Sequence, residues 1–328
     1  MNGRTFFGAV SIFFLGGISG YFLFPLAGEL SDARESGSYQ VRQEGEYQFI
    51  NPLLECEVSE GSLDARKENF HDELEAYVAH LKEEGKVSDA AVYFRDLNNG
   101  PTFGVGERGD YFPASLLKVP VMMAYYHLAE QNPALLSTEI SYEVTKDFGI
   151  TPTIVPRESI ERGRTYTVEE LIRRMIVFSD NQALALLTER LPLGELQDLF
   201  AILGVGEDVL LDGNSKITVK EYAGFFRILF NSSYLTRASS EKALALLSMT
   251  DYHGALPAGV PEGIVVAHKF GEAGSEGHEQ QLHDCGIVYF PNHPYLACIM
   301  TRGKDPEVLK TAIQDISRTI YERIDEQY

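Results

Sequence analysis

Residues 111–118 read Tyr-Phe-Pro-Ala-Ser-Leu-Leu-Lys, and residues 119–129 continue Val-Pro-Val-Met-Met-Ala-Tyr-Tyr-His-Leu-Ala. The second stretch carries no formal charge and is apolar on every side, the pattern of a helix buried in a core. If that helix starts near Ser115, residues three apart share a face with about 5–6 Å between their Cβ atoms. The amine of Lys118 then reaches the oxygen of Ser115. A serine hydroxyl is a weak nucleophile without a base beside it, and a lysine taken out of water can be neutral enough to serve. The N-terminus of a helix also points backbone N–H groups at developing negative charge. Pro120 removes a hydrogen bond early in the helix, so a tightened first turn is expected there, presenting Ser115.

Two further stretches stand downstream. Ser179-Asp180-Asn181 separates the helical patterns TVEELIRRMIVF (167–178) and QALALLTERL (182–191). One reading is a helix-breaking turn with an N-cap, a role that Ser, Asp and Asn all favour. The other gives Ser179 a proton to relay to a leaving group and Asn181 a hydrogen bond to substrate. His268-Lys269-Phe270-Gly271 ends an apolar strand pattern, where a lysine is costly unless paired or functional.

Around these, helical spacing of Phe70, Leu74, Tyr77, Val78 and Leu81 predicts a helix from about Leu63 to Glu84, stopped by Gly85. DAAVYFRDL and PTFGV flank Asn98-Asn99-Gly100 as a hairpin. Residues 114–247 are mostly helical pattern, with loops at 149–164 and 204–217. GIVVAHKF, CGIVYF and YLACIMTR then predict three antiparallel strands. A last helix opens on Asp305 as N-cap with Pro306 in its first turn and a stripe of Val308, Ala312, Ile316, Ile320 and Ile324.

In the order SxxK, SDN, KxG, the three motifs form a recognised signature. On them, and on Phe112-Pro113-Ala114-Ser115 and the stretch Ala255 to Pro261, the sequence resembles class A β-lactamases and penicillin-binding proteins from about Phe70 to Tyr321. The resemblance implies an α/β (α+β) fold in two parts: an antiparallel sheet of about five strands flanked by the terminal helices, and an inserted helical block. It implies Ser115 as acylated nucleophile, Lys118 as its base or proton relay, Ser179 and Asn181 on one wall of the cleft, and Lys269 and Gly271 opposite. The backbone N–H groups of Ser115 and Glu272 would form the oxyanion hole. The substrate it implies is a β-lactam or a D-alanyl amide of peptidoglycan, with no cofactor and no metal. There are three departures. Phe270 replaces the hydroxyl residue that in the family helps bind the substrate carboxylate. Glu272 adds a carboxylate nearby. Leu210 to Thr218 reads like the flanks of the family's Ω-shaped loop joined without the ExxxN segment whose glutamate activates the deacylating water. An esterase or amidase with an uncharged substrate therefore stays open, as does a non-catalytic envelope-binding protein.

The net charge of −20 argues against nucleic-acid binding. Thr5 to Gly28 is free of charge and long enough to cross a bilayer, preceded by Arg4 and followed by acidic residues. Residues 1–28 are thus expected as a membrane anchor with the rest outside the cytoplasm, or as a signal segment that frees the protein if cleaved. Residues 29–61 read as an acidic tether, and 62–328 as the hydrolase domain. Cys285 and Cys298 fall on strands that read as hairpin partners, which makes a bridge conceivable. His278-Glu279-Gln280-Gln281-Leu282-His283 has one residue too many for a zinc HExxH helix. His283-Asp284 reads as a polar strand start rather than a dyad.

Overall fold

A computed structural model describes residues 39–42, 47–57, 65–98, 101–143, 154–206, 216–274 and 279–328. The chain divides into two compact units, residues 1–39 with 57–62 and residues 40–56 with 63–328. The larger unit holds every helix described here. In chain order the strands are β1 (Tyr39–Arg42), β2 (Leu53–Glu57), β3 (Asp89–Asp96), β4 (Thr102–Val105), β5 (Asp110–Tyr111), β6 (Glu139–Ser141), β7 (Thr165–Thr167), β8 (Ile217–Thr218), β9 (Val266–Ala273), β10 (Gln280–Val288) and β11 (Tyr295–Gly303). The helices are α1 (Ala65–Glu83), α2 (Lys118–Gln131), α3 (Val168–Val177), α4 (Asn181–Thr188), α5 (Leu193–Leu203), α6 (Val219–Phe230), α7 (Arg237–Leu247) and α8 (Pro306–Gln327). Among the described residues no helix is long and apolar enough to cross a membrane. The apolar N-terminal stretch, Asn99 and Gly100 of the expected turn, residues 149–153 of the first expected loop and residues 207–215 lie outside the described residues.

The main sheet has the order β4-β3-β11-β10-β9 and is antiparallel throughout. Its inner strands β3 and β11 carry near-continuous buried apolar runs, Ala90–Phe94 and Tyr295–Met300, because both faces are covered. Along β11, Tyr295, Ala297 and Ile299 pack with α1 and α8, while Leu296, Cys298 and Met300 join the core of the helical block. The period of two along a strand sorts the same sequence into two cores. α8 starts as expected, Asp305 accepting from the Glu307 N–H at 2.9 Å with Pro306 at the first position. Its buried stripe runs through Leu309 rather than the half-buried Val308.

In the helical block, α2 is buried on almost every side. Two short strand pairs went unforeseen: β5 with β8, and β6 with β7. Each strand has only two or three residues, too few to show a period of two. Phe49 and Ile50 are buried, and three successive N–H groups of residues 48–50 donate to the Glu241 carboxylate, so this part of the expected tether lies on the domain.

Cys285 and Cys298 face each other in register on β10 and β11 and are joined as a disulfide. The bridge is fully buried on the helical-block face. It closes a sequence separation of 13 residues. Loop closure of that size corresponds to about 3 kcal/mol of stability. Urea unfolding of a double Cys285→Ala, Cys298→Ala variant is therefore expected to show a loss near that value, with a lower midpoint than wild type.

Candidate active site

The site is built where the edge strand β9 meets the first turn after β5. Residues 114–117 form a single 3₁₀ turn, and the α-helix begins only at Lys118. Pro120, with no N–H to give, sits in the first turn of that helix, and the tightened entry follows the sequence expectation. Ala114 adopts φ +49°. The left-handed backbone turns Ser115 into the cleft, half-exposed, while Lys118 one turn on is fully buried. Tyr222 from α6 donates to the Leu116 carbonyl at 2.9 Å and fixes the turn from below.

Ser179 also lies in the left-handed region, at φ +58°. Such a conformation costs a non-glycine residue about 1–3 kcal/mol. Asp180 offsets part of it: its carboxylate caps α4, accepting from Gln182 at 2.8 Å and Ala183 at 3.3 Å, and also from the Ile160 N–H at 2.8 Å. The turn reading of residues 179–181 is what the structure shows, and it leaves the other reading open. Asp180 holds the turn, and Ser179 and Asn181 face Lys118.

Four oxygens surround the Lys118 Nζ. Ser115 Oγ lies at 2.9 Å, the Ser179 carbonyl at 2.6 Å, Ser179 Oγ at 2.9 Å and Asn181 Oδ1 at 2.7 Å. The carbonyl and the amide oxygen can only accept. A neutral amine gives them its two N–H groups and keeps its lone pair for a serine hydroxyl proton. Burial supports that state by pulling the Lys118 amine down to about 7, against the negative charges of Asp180 and Glu272. Ser115 can therefore be deprotonated by Lys118 as it attacks.

Lys269 lies mid-strand in β9 rather than at its end, paired in register with Cys285. Its Nζ donates to Ser179 Oγ at 3.0 Å and to the Phe270 carbonyl at 2.9 Å. Ser179 Oγ thus bridges the two lysines. Burial, then repulsion from Lys118, holds the Lys269 amine well below its usual range. Gly271 allows β9 to approach: a Cβ there would stand 3.1 Å from the Pro113 carbonyl oxygen and 3.2 Å from the Leu116 nitrogen. Glu272 is anchored by the Ile154 N–H, which donates to its Oε1 at 2.8 Å.

The cleft above these groups encloses about 430 Å³ and is lined by Ser115, Ser179, Asn181, Phe270 and Glu272 among others. Of the predicted residues, Lys118 and Lys269 lie beneath it and Gly271 beside it. Sequence reasoning missed Ile154, Leu184 and Glu279, which also line it. Glu279 belonged to the segment weighed as a zinc helix, which among the described residues is no helix but runs into strand from Gln280. His283 and Asp284 are not a polar strand start. Both are fully buried in mid-strand, on opposite faces. His283 donates from Nε2 to the Phe112 carbonyl at 3.1 Å, and Asp284 pairs with His268 at 2.8 Å. Interior position alone separates a buried pair from a strand end, and the sequence carries no mark of it.

Two outcomes follow. With the Lys118 amine near 7, acylation of Ser115 is expected to rise with pH through about 7, as Nζ loses its proton, and then to level off; Lys118→Met is expected to remove acylation while the circular dichroism spectrum stays native. Gly271→Val is expected to slow acylation at least about a hundredfold by pushing β9 off the serine turn, measured by the rate of covalent labelling.

A family model described as "Beta-lactamase enzyme family" matches residues 70–324. No curated protein matches the chain. Among solved structures, PBP-A is 23% identical over 79% of this chain and 96% of its own, with a TM-score of 0.66. A PBP-A variant in acyl-enzyme complex with penicillin G is 22% identical over 79% and 97%, at 0.64. A β-lactamase from Sphaerobacter thermophilus is 23% identical over 75% and 94%, at 0.62. At these identities the structures speak for the fold, and it is the model match over most of the chain that decides the classification: the chain belongs to the β-lactamase enzyme family.

Proposed function

We propose that this protein is a serine hydrolase that works outside the cytoplasmic membrane, cleaving an amide of the β-lactam or D-alanyl peptide kind through an acyl-enzyme on Ser115. The observation that carries this reading is the Lys118 amine, buried and 2.9 Å from Ser115 Oγ, with acceptors for both protons of its neutral form. In the first step Ser115 Oγ attacks the carbonyl and Lys118 takes its proton. Ser179, in contact with both lysines, passes a proton to the leaving nitrogen as the bond breaks. The leaving group departs and the acyl ester stays on Ser115. A binding protein without activity has no use for this arrangement, since an enclosed neutral amine costs folding energy and earns nothing without a proton to accept.

Deacylation is the slow step in this reading. Among the described residues, Ser115 and Lys118 make no hydrogen bond to a carboxylate, and the segment that would carry a deacylating glutamate is shortened in the sequence. Benzylpenicillin is therefore expected to give an adduct on Ser115 that builds and persists over hours in intact-mass spectra of the protein. Rapid loss of the adduct with hydrolysed drug would instead mean that another group activates water. Absence of both would overturn the β-lactam and D-alanyl reading.

A second reading is favoured by Phe270 and Glu272, which put a ring and a carboxylate where a substrate carboxylate would bind: an esterase or amidase acting on a substrate without that group. The uncharged, membrane-length stretch of residues 5–28 supports anchoring and export.

A further inference from the structure

The chain leaves its pairing with β8 at Tyr111, so the backbone groups of Phe112, three residues before Ser115, need partners elsewhere. Both find them in side chains of β10. The Phe112 N–H donates to Gln281 Oε1 at 3.1 Å, and the Phe112 carbonyl stands 3.1 Å from His283 Nε2. On the other side of that ring, the Thr301 N–H of β11 stands 3.3 Å from His283 Nδ1. A backbone N–H only donates and a carbonyl only accepts, so the imidazole carries a single proton, on Nε2. His283 is fully buried, and burial supports the neutral form by pushing the imidazole down to about 4. The Tyr111 ring meets it edge to face, with centroids 5.5 Å apart.

Little freedom separates this grip from the nucleophile. The Phe112 carbonyl lies in one peptide plane with the Pro113 nitrogen, and the Pro113 ring fixes φ, here at −67°. The Pro113 carbonyl accepts from the Leu116 N–H at 3.0 Å, which closes the turn around Ser115. Across the ladder His283 pairs with Gly271, the residue that lets β9 come close to Pro113 and Leu116. One rung of the sheet thus approaches the serine turn through Gly271 and fastens it through His283. We infer that His283 is a positioning residue for acylation: its Nε2–H, with Gln281 on the other side of Phe112, holds the segment that sets Ser115 Oγ against Lys118. The inference rests on acyl transfer at Ser115 and adds what keeps the nucleophile in place. His283 does not line the cleft, so its effect on the reaction passes through Phe112.

Two substitutions separate this role from simple packing. In His283→Asn the side-chain oxygen can take the place of Nδ1 and accept from Thr301, but no donor reaches Phe112. In His283→Gln the longer side chain can bring an N–H to the Phe112 carbonyl. Wild type and both variants are followed by intact mass over a range of benzylpenicillin concentrations, which separates the limiting acylation rate from the half-saturating concentration. His283→Asn is expected to lower the limiting rate by about thirtyfold, with the half-saturating concentration within about twofold of wild type. His283→Gln is expected to recover the rate to within about threefold. Hydrogen exchange in the peptide covering residues 111–117 is expected to run about tenfold faster in His283→Asn than in wild type or His283→Gln. Unchanged acylation or unchanged exchange in His283→Asn would overturn the inference, as would equal slowing in both variants. If wild type takes no label, acyl transfer from β-lactams falls, and exchange alone then decides whether His283 grips the serine turn.

Discussion

A lysine amine enclosed by four oxygens is the constraint on which the rest of the site depends. Lys118 is fully buried, and water is not there to solvate a charge. Two of the four oxygens accept only, so the neutral amine has a defined orientation, with its lone pair left to a serine hydroxyl. A charged lysine in the same place would be a cost to folding. A neutral one is a base held at the right distance from a nucleophile. Burial thus does two jobs: it fixes the position of the side chain and it sets the protonation state the chemistry needs.

That enclosure requires three chain segments to converge, and each converges by a local device. The 3₁₀ turn and the left-handed Ala114 present Ser115. The left-handed Ser179, held by the Asp180 cap, turns both its carbonyl and its hydroxyl on Lys118. Gly271 lets β9 come within reach of the serine turn, where a Cβ would crowd the Pro113 carbonyl and the Leu116 nitrogen. Helix, turn and strand belong to different parts of the fold, and the two-faced sheet supports all three. Its helical-block face carries Lys269 and the Cys285–Cys298 bridge side by side, so the strand that delivers the lysine is braced by its neighbours.

The Ser115–Lys118 cluster and the cleft wall depart from the family pattern to different degrees. Ser115, Lys118, Ser179, Asn181 and Lys269 stand together as the family resemblance implies. The sheet side of the cleft does not follow it, with an aromatic ring over the lysine and two carboxylates on the wall. Attack on a carbonyl depends on a few atoms within hydrogen-bonding distance of each other. Choice of substrate depends on charge over a wider area, where single substitutions act without disturbing those atoms.

Much of this was legible in the sequence because it is periodic or local. The strands that form the sheet, the terminal helices with the Asp305 cap, and the spacing of Ser115 to Lys118 all follow from neighbours within a few residues. The three motifs marked five residues that converge on one site. The tertiary structure alone decided the rest. That Lys269 sits mid-strand beneath a ring, that Asp284 pairs with His268 rather than with its neighbour His283, and that Glu279 lines the cleft depend on register between strands distant in sequence. Register is set by which side chains fill which core, and a one-residue slip would turn every side chain to the other face. A single sequence specifies that outcome only through the packing of the whole domain, so residue types could name the chemistry but not the surroundings that set its charge.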